Sequence, residues 1–231
     1  MITTEQKAVR STFMEFQNSL KQSNNFHQYT IQSDLDAVCI ITGINADLFN
    51  SVFIQHPKTV SACLNELQKL KQQINLPLTA WTTHGITSQE IERYLKNNCK
   101  SPGTFFGMSL EISEAKLSPY PQEITIEQIT NETQANIFAE IFCKVFNMQN
   151  NKKDILAWAN KQCNVQAPNS INYLAKINNT YAGASSLMID QHFDLFNTGG
   201  LYNACVLPQF RQNGIGLAMA MIEFIRLNDL T

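Results

Sequence analysis

The sequence predicts an α/β protein: a mixed, mainly antiparallel sheet flanked by helices. Three observations carry this. Short apolar runs rich in β-branched residues alternate with segments whose apolar residues repeat at helical spacing. A polar stretch at 113–123, SEAKLSPYPQE, holds two prolines and no periodicity, and marks a boundary between an N-terminal α/β domain at 1–117 and a second domain at 118–231. Beyond that boundary the order reads strand, helix, helix, strand, strand, strand, helix, which layers helices on an antiparallel sheet.

In the first half, Val9, Phe13, Phe16 and Leu20 make one face of a helix, which Thr3 and Gln6 can open as a capping box. The run DLDAVCIITGI, closed by Gly43, predicts a buried strand. Val60, Cys63, Leu64, Leu67 and Leu70 mark an amphipathic helix that Pro77 stops. LTAWTTH (78–84) predicts a strand. Thr87 and Glu90 cap a helix carrying Ile91, Tyr94 and Leu95, and GTFFGMSLEI (103–112) predicts another strand.

In the second half, EITIEQI (123–129) alternates as a half-buried strand does. Asn131 caps a helix with Ile137, Phe138, Ile141, Phe142, Val145 and Phe146 on its apolar face. A polar loop leads to a shorter helix through Ile155, Leu156 and Trp158. INYLAKIN and TYAGASSLMID flank the turn-favouring pair Asn178-Asn179 and predict a hairpin. GLYNACVLP (200–208) is the next strand. Gly214 to Leu230 predicts a helix with Leu217, Ala218, Met221, Ile222 and Ile225 on one face.

Composition excludes several classes. The chain has 231 residues, a formal net charge of -2 and 44% hydrophobic residues, ordinary for a globular protein. Its Lys and Arg are scattered, against the clustering that a nucleic-acid surface needs. No run of about 18 apolar residues predicts a membrane span, and the polar start MITTEQKAVRS lacks the apolar core of a signal peptide. The six cysteines are far apart, without CxxC or Cys/His ligand spacing, and the four histidines are isolated, so no metal is expected. Most cysteines sit among apolar neighbours and read as small buried hydrophobes in a reducing cytoplasm.

The stretch Val206-Leu207-Pro208-Gln209-Phe210-Arg211-Gln212-Asn213-Gly214-Ile215-Gly216-Leu217 carries the chemistry. A strand ends, a short loop turns, and two glycines open a helix. Without a Cβ the backbone takes positive φ and lets a ligand approach. The first N–H groups of a helix lack intrahelical partners and face the loop, where the helix dipole adds about half a positive charge. That is a competent phosphate site, with Arg211 adding a full charge. The glycines alone would equally suit a tight strand-to-helix turn.

Arg211, Gly214 and Gly216, spaced Arg-x-x-Gly-x-Gly after a Val-x-Pro strand end, resemble the pyrophosphate-binding motif of the GNAT superfamily of N-acetyltransferases. The element order from about Glu123 resembles the family too, and Gly200–Pro208 resembles its fourth strand. Gln212 stands where many members carry Gly. The resemblance implies that acetyl-CoA is the co-substrate. Backbone groups of Cys205, Val206 and Leu207, on a strand splayed at a bulge, would pair with the pantetheine arm and acetyl carbonyl. The N–H groups of Gln212, Asn213, Gly214, Ile215, Gly216 and Leu217 would hold the pyrophosphate. An amine then attacks the thioester directly, aided by proximity, an oxyanion-directed N–H and a base. No Glu lies on the strand, and the base is unassigned. Candidates are His192, Tyr202 and Asn203, with Asp190 and Asp194 nearby; His192 alone has an ordinary pKa suited to neutrality, though a plain surface histidine is the blander account. Cys205 reads as a buried strand cysteine rather than a nucleophile.

The resemblance also implies strands and a helix after this one, and a Tyr that protonates the leaving thiolate. The chain reaches Thr231 first, so the expectation is a GNAT domain cut after the pyrophosphate-binding helix. The first half, with strand, helix, strand and no such motif, resembles a degenerate partner domain, and its strands could cover the fourth strand in cis or across a homodimer. Readings other than an active N-acyltransferase stay open: a CoA-binding module with impaired catalysis, or a structural or partner-binding α/β protein. The acceptor amine is not encoded in any acidic cluster.

Overall fold

The computed structural model describes residues 11–16, 19–20, 37–54, 60–82, 89–98, 114, 118–163, 169–190 and 198–230. The chain forms two compact units, Met1–Gln6 with Ser23–Gly107, and Lys7–Gln22 with Met108–Thr231. The N-terminal helix was expected within 1–117, yet Lys7–Gln22 goes with the second unit. Its amphipathic face showed that it would be buried, not against what. In the structure Phe16 stacks on Tyr202 with centroids 5.5 Å apart and meets Trp158 edge-on at 6.1 Å. The Trp158 indole donates to Ser19 Oγ at 3.2 Å.

The first unit contains β1 (Ala37–Ile41), β2 (Asn50–Ile54), α1 (Val60–Gln73), β3 (Thr79–Thr82) and α2 (Gln89–Asn98). Its sheet has the order β1-β2-β3, antiparallel then parallel. Cys39, Ile41, Val52, Ile54, Leu70 and Ile91 form its core. Asn50 is buried yet satisfied: its Nδ2 donates to the carbonyls of Ile44, Ala46 and Pro77, and its Oδ1 accepts from the Thr42 N–H. Strand β2 was not read from the sequence. Its five residues are all buried, so it shows no alternation. The expected strand at 103–112 and the cap at Thr87 lie outside the described residues.

The second unit contains β4 (Ile124–Gln128), α3 (Glu132–Val145), α4 (Lys152–Gln162), β5 (Ser170–Ile177), β6 (Thr180–Ile189), β7 (Gly199–Val206) and α5 (Ile215–Leu230). The four strands run β4-β5-β6-β7, each antiparallel to the next. Asn131 caps α3 by accepting from the Gln134 N–H at 2.9 Å. Asn178 and Asn179 both take positive φ, 48° and 63°, as a two-residue hairpin turn requires. Beneath the sheet, Ile124, Ala175, Ala182, Ile215, Ala218 and Met219 pack α5 against β4, β5 and β6. Elsewhere Phe138 of α3 meets Trp158 of α4 edge-on at 5.7 Å, both rings buried.

The face of α5 differs from expectation. Ala218 and Met221 are buried as expected, but Leu217 and Ile225 are 42% and 41% exposed. The buried set is Ile215, Ala218, Met219, Met221, Glu223 and Leu227. The helix is apolar on nearly every side, so hydrophobic spacing alone did not fix its orientation.

Candidate functional site

Strand β7 carries a bulge. Tyr202 pairs with Ser186 and Cys205 with Ala184, so Asn203 and Ala204 together face Ser185. Asn203 takes φ 58°, the left-handed conformation that Asn tolerates better than most residues. Past the bulge the strand returns to its ladder. Leu207 donates its N–H to the Ala182 carbonyl at 2.8 Å. Peptide groups alternate in direction along an antiparallel strand, so Leu207 and Cys205 turn theirs toward β6 and Val206 turns away. The Val206 carbonyl accepts from Arg211 Nε at 3.2 Å. Of the three backbone positions expected to be free, Leu207 is therefore spent on β6, Cys205 faces it, and Val206 looks out from what is, among the described residues, the outer strand.

Gly183 lets β7 and α5 approach. A Cβ there would stand 3.0 Å from the Cys205 carbonyl oxygen and 3.1 Å from Ile215 Cγ2. A single 3-10 turn, Pro208–Phe210, follows β7. Asn213 Nδ2 then ties the loop down, donating to the carbonyls of Phe210 at 3.1 Å and Arg211 at 3.3 Å. Gln212 takes φ 67° and Gly214 φ 78°. Gly214 accepts the first helical bond, from Ala218 at 3.0 Å, so the N–H groups of Ile215, Gly216 and Leu217 have no partner within the helix. Gly214 also has no side chain to cap them.

The two glycines are not alike. At Gly214 a Cβ would carry positive φ and approach Pro121 Cδ to 3.1 Å. At Gly216 a Cβ would meet nothing within 4 Å, and the residue needs no positive φ. The fold thus explains the first glycine and not the second. Glycine inside a helix costs up to about 1 kcal/mol against alanine, with no structural return here. Arg211, Gln212 and Asn213 are exposed, Gly216 and Leu217 likewise, and Ile215 is buried beneath them.

Beside the bulge, Asn203 Nδ2 donates to Ser186 Oγ at 3.2 Å, and Ser186 Oγ donates to Asn172 Oδ1 at 2.7 Å. The Tyr202 hydroxyl shares a hydrogen bond of 2.9 Å with Thr12 Oγ1, and burial pushes its pKa well above the usual phenol range. Burial likewise raises the Cys205 thiol to about 12, which leaves it protonated near neutrality. His192 and Asp194 lie outside the described residues. Asp190 is buried, with its N–H on the Thr198 carbonyl. Sequence reasoning missed Glu223 of α5. Buried on the sheet side, its carboxyl is pushed up to about 8 by desolvation. The signal was present: Met219, Glu223 and Leu227 repeat at four-residue intervals.

A cleft of about 520 Å³ is lined by Ser118, Pro119, Tyr120, Gln122, Ile124, Met221 and Ile225. Among the described residues no group of three His, Cys, Asp or Glu could hold a metal ion, and no helix is long and apolar enough to cross a membrane.

Solved structures resemble this fold over most of the chain. A GCN5-related N-acetyltransferase from Kribbella flavida aligns over 94% of this chain and 78% of its own, with a TM-score of 0.60 at 10% identity. This chain has the GNAT fold. A conserved protein of unknown function from Staphylococcus epidermidis aligns over 90% of this chain and 81% of its own, with a TM-score of 0.57 at 13% identity. At such identities the likeness is one of fold. No family model and no curated protein matches the sequence.

Proposed function

We propose that the chain is an N-acyltransferase that binds acetyl-CoA at the β7–α5 loop and passes its acetyl group to an amine. The observation that carries the reading is Gly216. It is a glycine in the first turn of a long helix that neither packing nor φ requires, beside N–H groups without a partner in the helix and the exposed Arg211. A pyrophosphate is a ligand that profits from all three: N–H donors, the positive end of the helix dipole and a backbone that it can approach closely. The GNAT fold supports the assignment as an analogy.

In this reading the N–H groups from Gln212 to Leu217 hold the pyrophosphate, with Arg211 at the mouth. The outward edge of β7 at Val206 receives the pantetheine arm. The amine nitrogen bonds to the thioester carbon, the C–S bond breaks, the amine loses a proton and the departing thiolate gains one. The Tyr202 hydroxyl, tied to Thr12, serves as a wall of the site and not as its base. The same geometry favours a second reading, CoA binding without turnover. Thiol release with a panel of primary amines separates the two.

The test uses Gly216→Asp, which adds a negative charge where the pyrophosphate would sit and whose Cβ meets no neighbouring atom within 4 Å. At about 100 times its dissociation constant acetyl-CoA adds roughly 2.7 kcal/mol to the native state. Thermal unfolding should show that shift in the parent and none in the variant, while the unliganded variant melts at or slightly above the parent. Equal shifts in both proteins, or none in the parent, would sink the site.

A further inference from the structure

We propose that Asn172, Ser186 and Asn203 form a positioning device for the acyl group, setting the direction of the peptide groups that β7 presents past its bulge. This rests on the acetyl-CoA reading above. The chain of hydrogen bonds crosses three strands: Asn203 of β7 donates to Ser186 of β6, which donates to Asn172 of β5. Asn172 and Ser186 are cross-strand partners, and Ser186 in turn pairs with Tyr202, the last residue before the bulge.

A bulge that needs one residue at positive φ is most simply made with glycine, which adopts it without strain and needs no side chain to hold it. Here the position is Asn203, at φ 58°, and its amide is tethered inward. The tether ends on two side chains that are essentially out of solvent, Ser186 and Asn172 at 0% and 2% exposure. Polar groups buried between strands are unfavourable unless bonded, and the Asn172 Nδ2 has no protein partner among the described residues. The sheet therefore tolerates a buried, incompletely satisfied polar row at the one place where β7 departs from regular pairing. What the row fixes is the torsion at Asn203. A residue freed there would let Ala204 and the ladder that begins at Cys205 shift relative to β6, and with them the Val206 peptide groups that face out from the outer strand among the described residues. A donor aimed at a carbonyl oxygen loses its effect steeply as its angle falls, so restraining one torsion matters more than adding another donor. Asn203 touches neither reacting atom in this scheme; it acts through the backbone that it holds.

The test is isotope-edited infrared spectroscopy of acetyl-CoA labelled with carbon-13 at the thioester carbonyl and bound to the full chain. Calorimetry with free CoA runs beside it. In the parent the bound carbonyl band should move to lower wavenumber than in solution. Asn203→Gly keeps a residue at ease with positive φ but removes the tether, and Ser186→Ala breaks the row in its middle. Both should bind CoA as tightly as the parent, since the pyrophosphate loop is untouched, and both should lose most of the band shift. A purely structural role would lower the melting temperature and leave the band in place. If Asn203→Gly binds CoA and retains the full shift, the positioning role is overturned and the acetyl-CoA reading stands. If the parent binds CoA with no band shift, the positioning role falls again. If the parent does not bind CoA, the acetyl-CoA reading falls, and this inference with it.

Discussion

The first turn and the body of α5 obey different rules. In the body, every side chain facing the sheet is fixed by packing: Ala218, Met219 and Leu227 are buried, and even the carboxyl of Glu223 is drawn in among them. In the first turn, Gly216 and Leu217 face outward and the N–H groups at 215–217 are without helical partners. One end of the helix is determined by the fold and the other is left open by it. Residues whose identity the fold does not dictate, at a place with unmet hydrogen-bonding capacity, are where a ligand is to be sought.

The largest test of that contrast lies in the body. Glu223 titrates near 4.5 when exposed and near 8 in the folded chain, because burial disfavours its charged form. Between those values the unfolded chain has lost a proton that the native chain keeps. Stability then falls as pH rises, by on the order of a kcal/mol per pH unit, until the folded carboxyl also ionises. Glu223→Gln removes the titration. Urea unfolding from pH 5 to pH 8 should find variant and parent nearly equal at the acid end, and the variant ahead by a few kcal/mol at the alkaline end. Parallel curves would mean that the carboxyl is ionised in the native state and that the body of α5 is as open as its first turn. Next in size is Gly214→Ala. It places a Cβ at φ 78° and 3.1 Å from Pro121 Cδ, and should destabilise the unliganded chain by about 1–2 kcal/mol in the same assay.

Much of this arrangement was legible beforehand, and the failures share a cause. The order of β4 to α5 followed from alternation and punctuation, which are local: the cap at Asn131, the pair Asn178-Asn179, the Pro208 strand end. What was misread depends on partners distant in sequence. The helical segment 11–16 announced an apolar face, but that Phe16 would lie on Tyr202 and Trp158 is a fact of tertiary structure. Strand β2 is buried on both faces and so loses the period by which strands are recognised. The outward face of α5 was lost because its apolar residues surround it. At the candidate site, the motif falls on the β7–α5 loop, yet the assignment of free peptide groups to Cys205, Val206 and Leu207 assumed no particular register. The bulge at Asn203 sets that register, and it turns Leu207 back onto Ala182.

The smallest expected effect separates the two glycines most sharply. Gly216→Ala adds a methyl group where nothing stands within 4 Å, at a helical position where alanine is favoured by up to about 1 kcal/mol. The unliganded chain should therefore unfold later than the parent, by a few degrees. The same methyl group points into the space that a pyrophosphate would occupy if it lay against the first turn, so acetyl-CoA affinity should fall in this more stable protein. Calorimetric titration with acetyl-CoA, beside thermal unfolding of the free chain, reads both quantities on one sample. Opposite movements of stability and affinity are the signature of a residue kept for a ligand at the expense of the fold. A gain in stability with unchanged affinity would show that the ligand does not approach the first turn here, and Gly216 would then be a weakness of the helix without a function.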